Sequence, residues 1–210
     1  MDICVANSWS ANNDYMTYSE AAAITSDMIA PNEESESKFS TLTHFEEFKY
    51  FTGVKEIKDS TFYYCESLTS IIIPDSVTSI GNDAFGECYE LINITIPSSV
   101  TSIGDGAFYD CSLTTIIIPD SVTSIGDSAF GFCDSLTSIN IPNLVTSIGS
   151  YTFSDCSSLT SITIPNSVTS INDGAFSGCS SLTSINIPNS VNYIGEEVFN
   201  YCSNLNTIVV

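Results

Sequence analysis

A repeat of about 23 residues accounts for most of this 210-residue chain and limits the fold to a stacked array. Six of the seven prolines recur at this spacing, from Pro74 to Pro188. Because a unit this short cannot bury its apolar face alone, stacked units have to share one core. The sequence therefore predicts a solenoid of seven units. Seven of the eight cysteines keep the same period: Cys65, Cys88, Cys111, Cys133, Cys156, Cys179 and Cys202.

Each position of the unit predicts a structural role, as the unit that begins at Leu159 illustrates. Its apolar residues have the alternation of two short strands with one buried face, and Thr163 between them should point outward. Pro165 should end the first strand because proline has no N–H to donate to a sheet ladder. The residues predicted to face inward are Leu159, Ile162, Ile164, Val168 and Ile171.

A glycine follows the second strand in five units, and glycine tolerates a positive φ, so we expect a left-handed corner there. Lys58 occupies this position in the first unit, where the turn should be looser or different. The Ala-Phe pair that follows predicts a short helical turn that buries one aromatic ring in each unit. The five glycines are Gly81, Gly104, Gly126, Gly149 and Gly195.

The cysteine column predicts free, buried thiols. Stacked coils repeat at the strand spacing of about 4.8 Å, which slightly exceeds the roughly 3.5–4.5 Å between the Cβ atoms of a disulfide. Disulfides and a metal site remain the alternatives, although the repeat units contain no Cys-x-x-Cys pair. Seven coils at this spacing make a short curved rod roughly 30 Å long.

Units such as LTSIIIPDSVTSIGNDAFGEC and LTSINIPNSVNYIGEEVFNYC combine an L-x-x-I-x-I-P strand, an S-V-T-S-I-G segment and an A-F-x-x-C turn. Over residues 52–210 this pattern resembles the BspA-like class of leucine-rich repeats. The resemblance implies a right-handed α/β solenoid with a parallel β-sheet on its concave side. It also implies secretion or display on the cell surface and binding to host or neighbouring-cell proteins. No signal peptide is visible in the first residues of the chain.

Residues 1–51 differ in composition and predict a helical cap. A capping-box pattern from Thr17 to Glu20 predicts a helix over about residues 18–28 that ends before Pro31. A second such pattern, at residues 43–46, predicts another short helix that Gly53 stops. This helix should lay three aromatic rings over the open end of the core, namely Phe45, Phe48 and Phe51.

The segment before the first helix resembles an acidic, calcium-loop-like segment that precedes some of these arrays in gut Bacteroides-type proteins. If Glu20 is the twelfth position of such a loop, Trp9 and Ala11 fall at its first and third positions. Neither side chain supplies the oxygen that calcium needs. We expect a degenerate remnant that leads into the helix, with a functional calcium loop as the alternative.

Charge and residue content exclude several functions. Four Lys plus Arg residues against 25 Asp plus Glu give a formal net charge of −21, which argues against nucleic acids and anionic membranes. The apolar runs are too short for membrane insertion. Beyond Lys58 there is no Lys, Arg or His, and His44 is the sole histidine. We therefore expect a protein that is not an enzyme and that needs no cofactor.

Stacking should also bring carboxylates of neighbouring coils together in two pairs, Asp105 with Asp127 and Glu87 with Asp110. A divalent cation bound between them is one hypothesis. The preferred interpretation is a solvated acidic edge that keeps the rod soluble.

The outward positions of the first strand are the predicted ligand-binding face. Their small polar and apolar side chains favour shallow contact with a protein or glycan over a deep pocket, and a basic host or extracellular protein is one such partner. The alternatives are a structural spacer, a fragment of a longer array, or ice binding through threonine ladders. The apolar strand at residues 205–210 has no polar closing repeat, so either the array continues or two ends associate. The six face residues are Ile72, Thr95, Ile117, Asn140, Thr163 and Asn186.

Overall fold

The computed structural model describes residues 18–31 and 39–210. These residues form a solenoid of about seven turns in which parallel strands stack coil upon coil. The fold class predicted from the repeat is therefore confirmed. Thr17, Cys4, most of the acidic linker and the calcium-loop-like segment lie outside the described residues.

The first strands of the units line one side of the solenoid as a main ladder, in which the parallel strands form separate sheets of three, two and two. Its apolar residues stack in register, as in the pairs Ile71 with Ile94 and Ile185 with Ile208. In the coil between β9 and β12 the ladder continues as a single parallel bridge from Asn140 to Thr163. The strands are β1 (His44–Phe45), β3 (Ser70–Ile72), β5 (Asn93–Thr95), β7 (Thr115–Ile116), β9 (Ser138–Ile139), β12 (Ser184–Asn186) and β14 (Thr207–Val209).

The S-I segments form a second ladder on another side of each coil. Its strands are only two residues long. In most units the strand is one serine followed by one isoleucine, and each residue pairs with the equivalent residue of the next coil. The strands are β2 (Glu56–Ile57), β4 (Ser79–Ile80), β6 (Ser102–Ile103), β8 (Ser124–Ile125), β10 (Ser147–Ile148), β11 (Ser170–Ile171) and β13 (Tyr193–Ile194).

One continuous apolar column fills the space between the ladders. The residues predicted to face inward in the unit from Leu159 are all buried, and Thr163 is exposed. Consecutive phenylalanine rings in this column lie 5.0 to 5.9 Å apart with planes within 12° of parallel. The stacked rings are those of Phe62, Phe85, Phe108, Phe130, Phe153, Phe176 and Phe199.

The left-handed corner predicted at the glycines after the second strand is wrong, since none of the five has a left-handed φ. Glycine is needed for close stacking: a Cβ on Gly104 would lie 2.6 Å from the carbonyl carbon of Gly81 in the preceding coil. The left-handed residues lie further along, for example Asp83 (φ 49°) and Glu87 (φ 58°).

The Ala-Phe segment is a hydrogen-bonded turn, so the predicted helical turn is also wrong. Every second amide points to the next coil: the N–H of Phe85 donates to the carbonyl oxygen of Ala107 at 2.8 Å, whereas the N–H of Gly86 donates to Asp83 of its own coil at 3.0 Å. Amides that bind the next coil are not available for helical bonds within their own coil. The left-handed residues on both sides of Phe85, namely Asp83 and Glu87, are compatible with amides that point alternately to the next coil and into their own coil.

The N-terminal region differs from the predicted pair of helices. In place of one helix there are two short ones, α1 (Tyr18–Ala23) and α2 (Ser26–Ile29), separated by an extended Thr25. The β-branched pair Ile24-Thr25 disfavours helix at this break, and the break leaves Ile24 and Ile29 both buried. The helical segment ends before Pro31, as predicted.

The predicted second helix is replaced by strand β1 and a 3-10 helix (Glu46–Tyr50). Pairing of β1 with β3 satisfies its backbone, so the main ladder already begins within the segment assigned to the cap. The three aromatic residues Phe45, Phe48 and Phe51 are buried over the end of the core, as expected, and the ring of Phe48 lies 5.5 Å from that of Phe62.

Helix α2 attaches the N-terminal region to the second ladder. The Ser26 hydroxyl accepts hydrogen bonds from the backbone N–H groups of Lys55 (3.1 Å) and Glu56 (3.0 Å), beside strand β2. Lys58, at the position where other units have glycine, forms an ion pair with Asp27. In the described parts of the chain, no helix has the length and apolar character needed to cross a membrane.

Candidate binding surface

The six predicted face residues lie on the outward side of the main ladder, and we call this column the strip. Ile72 pairs with Thr95 and Asn140 pairs with Thr163 across neighbouring coils. Five of the six are exposed, whereas Ile72 is half-buried. Ile117 is the most prominent of them, with 80% of its surface exposed. The strip is Ile72, Thr95, Ile117, Asn140, Thr163 and Asn186.

Asn140 has a structural role in the strip that the sequence did not reveal. Its Nδ2 donates to the carbonyl oxygen of Ile118 at 2.8 Å, and its Oδ1 accepts from the N–H of Ile118 at 3.0 Å. The side-chain amide thus replaces a pair of ladder bonds at this coil. Asn140 is therefore less available to a ligand than Ile117 or Thr163.

Threonine hydroxyls beside the strip are also engaged within the solenoid. The Thr69 hydroxyl donates to the carbonyl oxygen of Thr43 at 2.7 Å, and that of Thr137 donates to Thr114 at 3.0 Å. These contacts join consecutive coils. The side chains that flank the strip therefore contribute more to the solenoid than their repetitive pattern indicates.

A shallow groove of about 850 Å³ runs along the second ladder, away from the strip. Its floor includes Ser79, Ser102 and Ser124, and Lys58 lies among its lining residues. Ala30 and Pro31 also line the groove, and the repeat period does not predict the position of this N-terminal region.

The carboxylates of Asp105 and Asp127 bind backbone amides of the next coil. Asp105 Oδ1 accepts from the N–H of Asp127 at 2.8 Å, and Asp127 Oδ1 accepts from the N–H of Ser150 at 2.7 Å. Asp59, Asn82 and Asp173 make the same contact in their coils. This column is a structural ladder in which an amide oxygen serves as well as a carboxylate, which does not favour the metal hypothesis.

In the second acidic pair, Glu87 is already hydrogen-bonded within the solenoid. Glu87 accepts hydrogen bonds from the hydroxyls of Tyr63 (2.6 Å) and Tyr89 (2.7 Å), and the first contact raises the pKa of Tyr63 to about 12. Partial burial, together with Glu87 and Asp134, raises the pKa of Asp110. Among the described residues, no group of three His, Cys, Asp or Glu side chains is arranged to hold a metal ion.

The seven repeat cysteines are free and buried, as predicted. Each thiol from Cys88 onward donates to a phenylalanine carbonyl oxygen of the preceding coil, at 3.0 to 3.2 Å. Burial raises the pKa of Cys133 to about 12, so this thiol stays protonated at neutral pH. Because the thiolate is the nucleophile, the column is chemically inert.

Stacked parallel strands and repeated hydrogen bonds between side chains and the backbone of the neighbouring coil define a repeat solenoid. The family model described as "BspA type Leucine rich repeat region" matches residues 34–137 and 123–210 in six copies. The chain belongs to this family. Leucine-rich repeat proteins are in general non-enzymatic scaffolds, and the family indicates a protein-interaction repeat module.

Similar solved structures include three leucine-rich repeat proteins. The leucine-rich repeat protein of T. pallidum is 37% identical, with a TM-score of 0.70, over 73% of this chain and 72% of that one. A leucine-rich repeat protein of Bacteroides ovatus is 28% identical, with a TM-score of 0.45, over 74% of this chain and 58% of that one. A leucine-rich cell surface protein of Faecalibacterium prausnitzii is 23% identical, with a TM-score of 0.41, over 89% of this chain and 77% of that one. No curated protein matches the sequence.

Proposed function

We propose that this chain is a non-enzymatic interaction module that binds a protein partner through the strip. The observation that carries the proposal is the exposure of Ile117, at 80%, in a column whose other isoleucine, Ile72, is half-buried and whose remaining members are polar. Full burial of an exposed isoleucine side chain by a partner contributes about 1.5–3 kcal/mol to the free energy of binding. The exposed Thr95, one coil before Ile117, and Thr163, two coils after it, supply polar contacts on either side.

The chemistry of the surface favours a basic partner. The formal net charge of −21 attracts cationic proteins and accelerates their encounter at low ionic strength. Family resemblance supports an extracellular or cell-surface location and an adhesive role, because bacterial members are commonly displayed there. A glycan bound along the same strip is the second class of ligand that the sequence predicts.

The test is a binding assay of the purified chain against immobilised extracellular-matrix proteins and basic host proteins, measured by biolayer interferometry at several salt concentrations. The test variant combines Ile117→Glu and Thr163→Glu on the strip. The matched control combines Leu144→Glu and Thr146→Glu, two exposed positions outside the strip that add the same charge. Thermal melts establish that both variants fold.

We expect saturable binding that the strip variant weakens at least about tenfold, as the loss of about 1.4 kcal/mol implies, while the control changes it less than about twofold. Equal losses in both variants would reject the strip. Absence of saturable binding to any immobilised protein would favour the spacer interpretation. Association of two arrays through the exposed Ile208 and Val209 stays a separate prediction, which light scattering at several concentrations tests.

A further inference from the structure

A second concave site lies on the turn face of the solenoid, apart from the strip and the groove. It has a volume of about 520 Å³ and brings two tyrosine rings together with two carboxylates. We call it the tyrosine pocket. Its lining residues are Ser60, Tyr63, Asp83, Glu87, Gly106, Tyr109 and Ser128.

Glycines in alternate coils give the tyrosine rings their positions. A Cβ on Gly86 would lie 3.2 Å from Cδ2 of Tyr63, and a Cβ on Gly131 would lie 3.2 Å from Cδ2 of Tyr109. Each ring therefore lies over the bare backbone of the following coil. Tyr109 is further held by the ring of Phe132, whose centroid lies 5.2 Å from its own.

The two carboxylates of the pocket differ in their contacts. Glu87 is fixed by the hydroxyls of Tyr63 and Tyr89, which bind one oxygen each. The Asp83 carboxylate accepts no hydrogen bond from any residue in the described part of the chain. Partial burial raises the pKa of Asp83, and the nearby carboxylates of Asp59, Asp105 and Glu87 raise it further. The pocket thus concentrates negative potential that no internal cation neutralises.

We propose that the tyrosine pocket binds the ammonium group of a lysine side chain from a protein partner. Tyrosine rings attract a cation by their quadrupole and pack against the methylene stem of lysine. Asp83 and Glu87 supply the opposite charge. A neutral sugar would also stack on the rings, but it would leave the charge of Asp83 without a counter-ion. The source of the lysine rests on the proposed protein-binding function, whereas the site itself is separate from the strip.

The test is an NMR titration of the whole chain at constant ionic strength with Nα-acetyl-lysine methylamide. The matched probe is the norleucine analogue, which has a similar stem and no charge. We expect saturable, weak binding of the lysine compound, with shifts at the ring resonances of Tyr63 and Tyr109. A cation–π contact of about 0.5–2 kcal/mol corresponds to a preference for lysine over norleucine of about 2-fold to 30-fold.

Two variants of the pocket have matched controls elsewhere on the surface. Tyr109→Leu is compared with Tyr201→Leu at an exposed tyrosine of the same turn face, and Asp83→Asn with Asp120→Asn at an exposed aspartate. We expect each pocket variant to weaken lysine binding about fivefold and each control to change it less than twofold. Asp83→Asn removes no hydrogen bond between side chains, so it remains informative if Tyr109→Leu fails to fold.

The proposal is overturned if norleucine binds as tightly as lysine, or if pocket and control variants weaken binding equally, which would show a diffuse charge effect. Binding of methyl glucoside at the same rings without binding of lysine would assign the pocket to glycans instead. The strip variant Ile117→Glu with Thr163→Glu should bind the lysine compound normally. This measurement distinguishes a wrong assignment of the tyrosine pocket from a wrong assignment of the strip.

Discussion

The thiol of Cys133 donates a hydrogen bond to the carbonyl oxygen of Phe108, one coil earlier, with an S···O distance of 3.1 Å. Equivalent cysteines repeat this contact along the solenoid. The cysteine is therefore more than a small apolar residue at the end of the unit, because it joins the turn of one coil to the turn of the previous one.

Native thiols should resist modification. All seven repeat thiols are buried, and burial raises the pKa of Cys133, Cys156 and Cys179, so neither access nor thiolate formation favours reaction. In a Cys4→Ser background, we expect an aromatic disulfide reagent to label almost no thiol in the folded protein and all seven in denaturant. Detection of fewer than seven thiols after unfolding without reductant would support the disulfide alternative.

Asp127 should stabilise the array as a hydrogen-bond acceptor and not as a charge. Asp127→Ala leaves the N–H of Ser150 without its partner, and we expect a loss of about 1 kcal/mol in the free energy of unfolding. Asp127→Asn keeps an acceptor, as Asn82 does at the equivalent position, and should retain stability. Urea melts measure both. Asp120→Ala, at an exposed site, is the control, and a loss for Asn equal to that for Ala would contradict the ladder role.

Gly104→Ala should separate two coils. The new Cβ would lie 2.6 Å from the carbonyl carbon of Gly81, which belongs to backbone and cannot move alone. We expect a loss of about 1–3 kcal/mol in the free energy of unfolding. Gly131→Ala is the comparison, because its Cβ meets the ring of Tyr109, a side chain that can shift. Urea melts should show a smaller loss there; equal losses would count against the close-stacking explanation.

Leu144→Ser should stabilise the protein. In four other coils a serine at this position donates to a valine carbonyl oxygen of the preceding coil at 2.6 Å, as Ser121 does to Val100 and Ser167 to Val145, although Ser190 does not. Leu144 makes no such bond and is 54% exposed. We expect a gain of about 0.5–1.5 kcal/mol by urea melts. The reverse change, Ser121→Leu, should destabilise by a similar amount, and a neutral effect of both changes would show that this ladder contributes little.

The array should become more stable as pH falls below 7 towards the ordinary pKa of an aspartate. The pKa values of Asp83 and Asp110 are raised in the folded protein, so the folded state binds their protons more tightly than the unfolded state. Their stabilising contribution appears below the raised pKa and is complete below the ordinary value of about 3.9. Asp27 acts in the opposite direction, because Lys58 lowers its pKa.

Thermal midpoints at constant ionic strength measure this dependence. The double variant Asp83→Asn with Asp110→Asn should reduce the rise, because it removes both groups while retaining similar shapes. A midpoint that falls steadily from pH 7 to pH 5 would contradict the predicted direction.

The N-terminal region shows where sequence patterns were insufficient. Residues 43–46 have the form of a capping box, yet His44 and Phe45 pair with the first full repeat as a strand. The capping-box pattern favoured a helix. The edge of β3, however, has backbone N–H and C=O groups that a strand at residues 44–45 pairs with and that a helix would leave unpaired. The Phe45, Phe48 and Phe51 rings were assigned correctly to the core because their apolar character does not depend on the element that carries them.

The period of 23 residues by itself determined the solenoid, the inward residues and the outward column. A fixed repeat places equivalent side chains above one another, and apolar ones must then share one core. Only the tertiary structure decided how polar atoms are used: the Asp127 carboxylate, the Asn140 amide and the Cys133 thiol all bind backbone of a neighbouring coil. Those partners are about 23 residues away in sequence and come within reach only when the coils stack, so no local pattern reveals them.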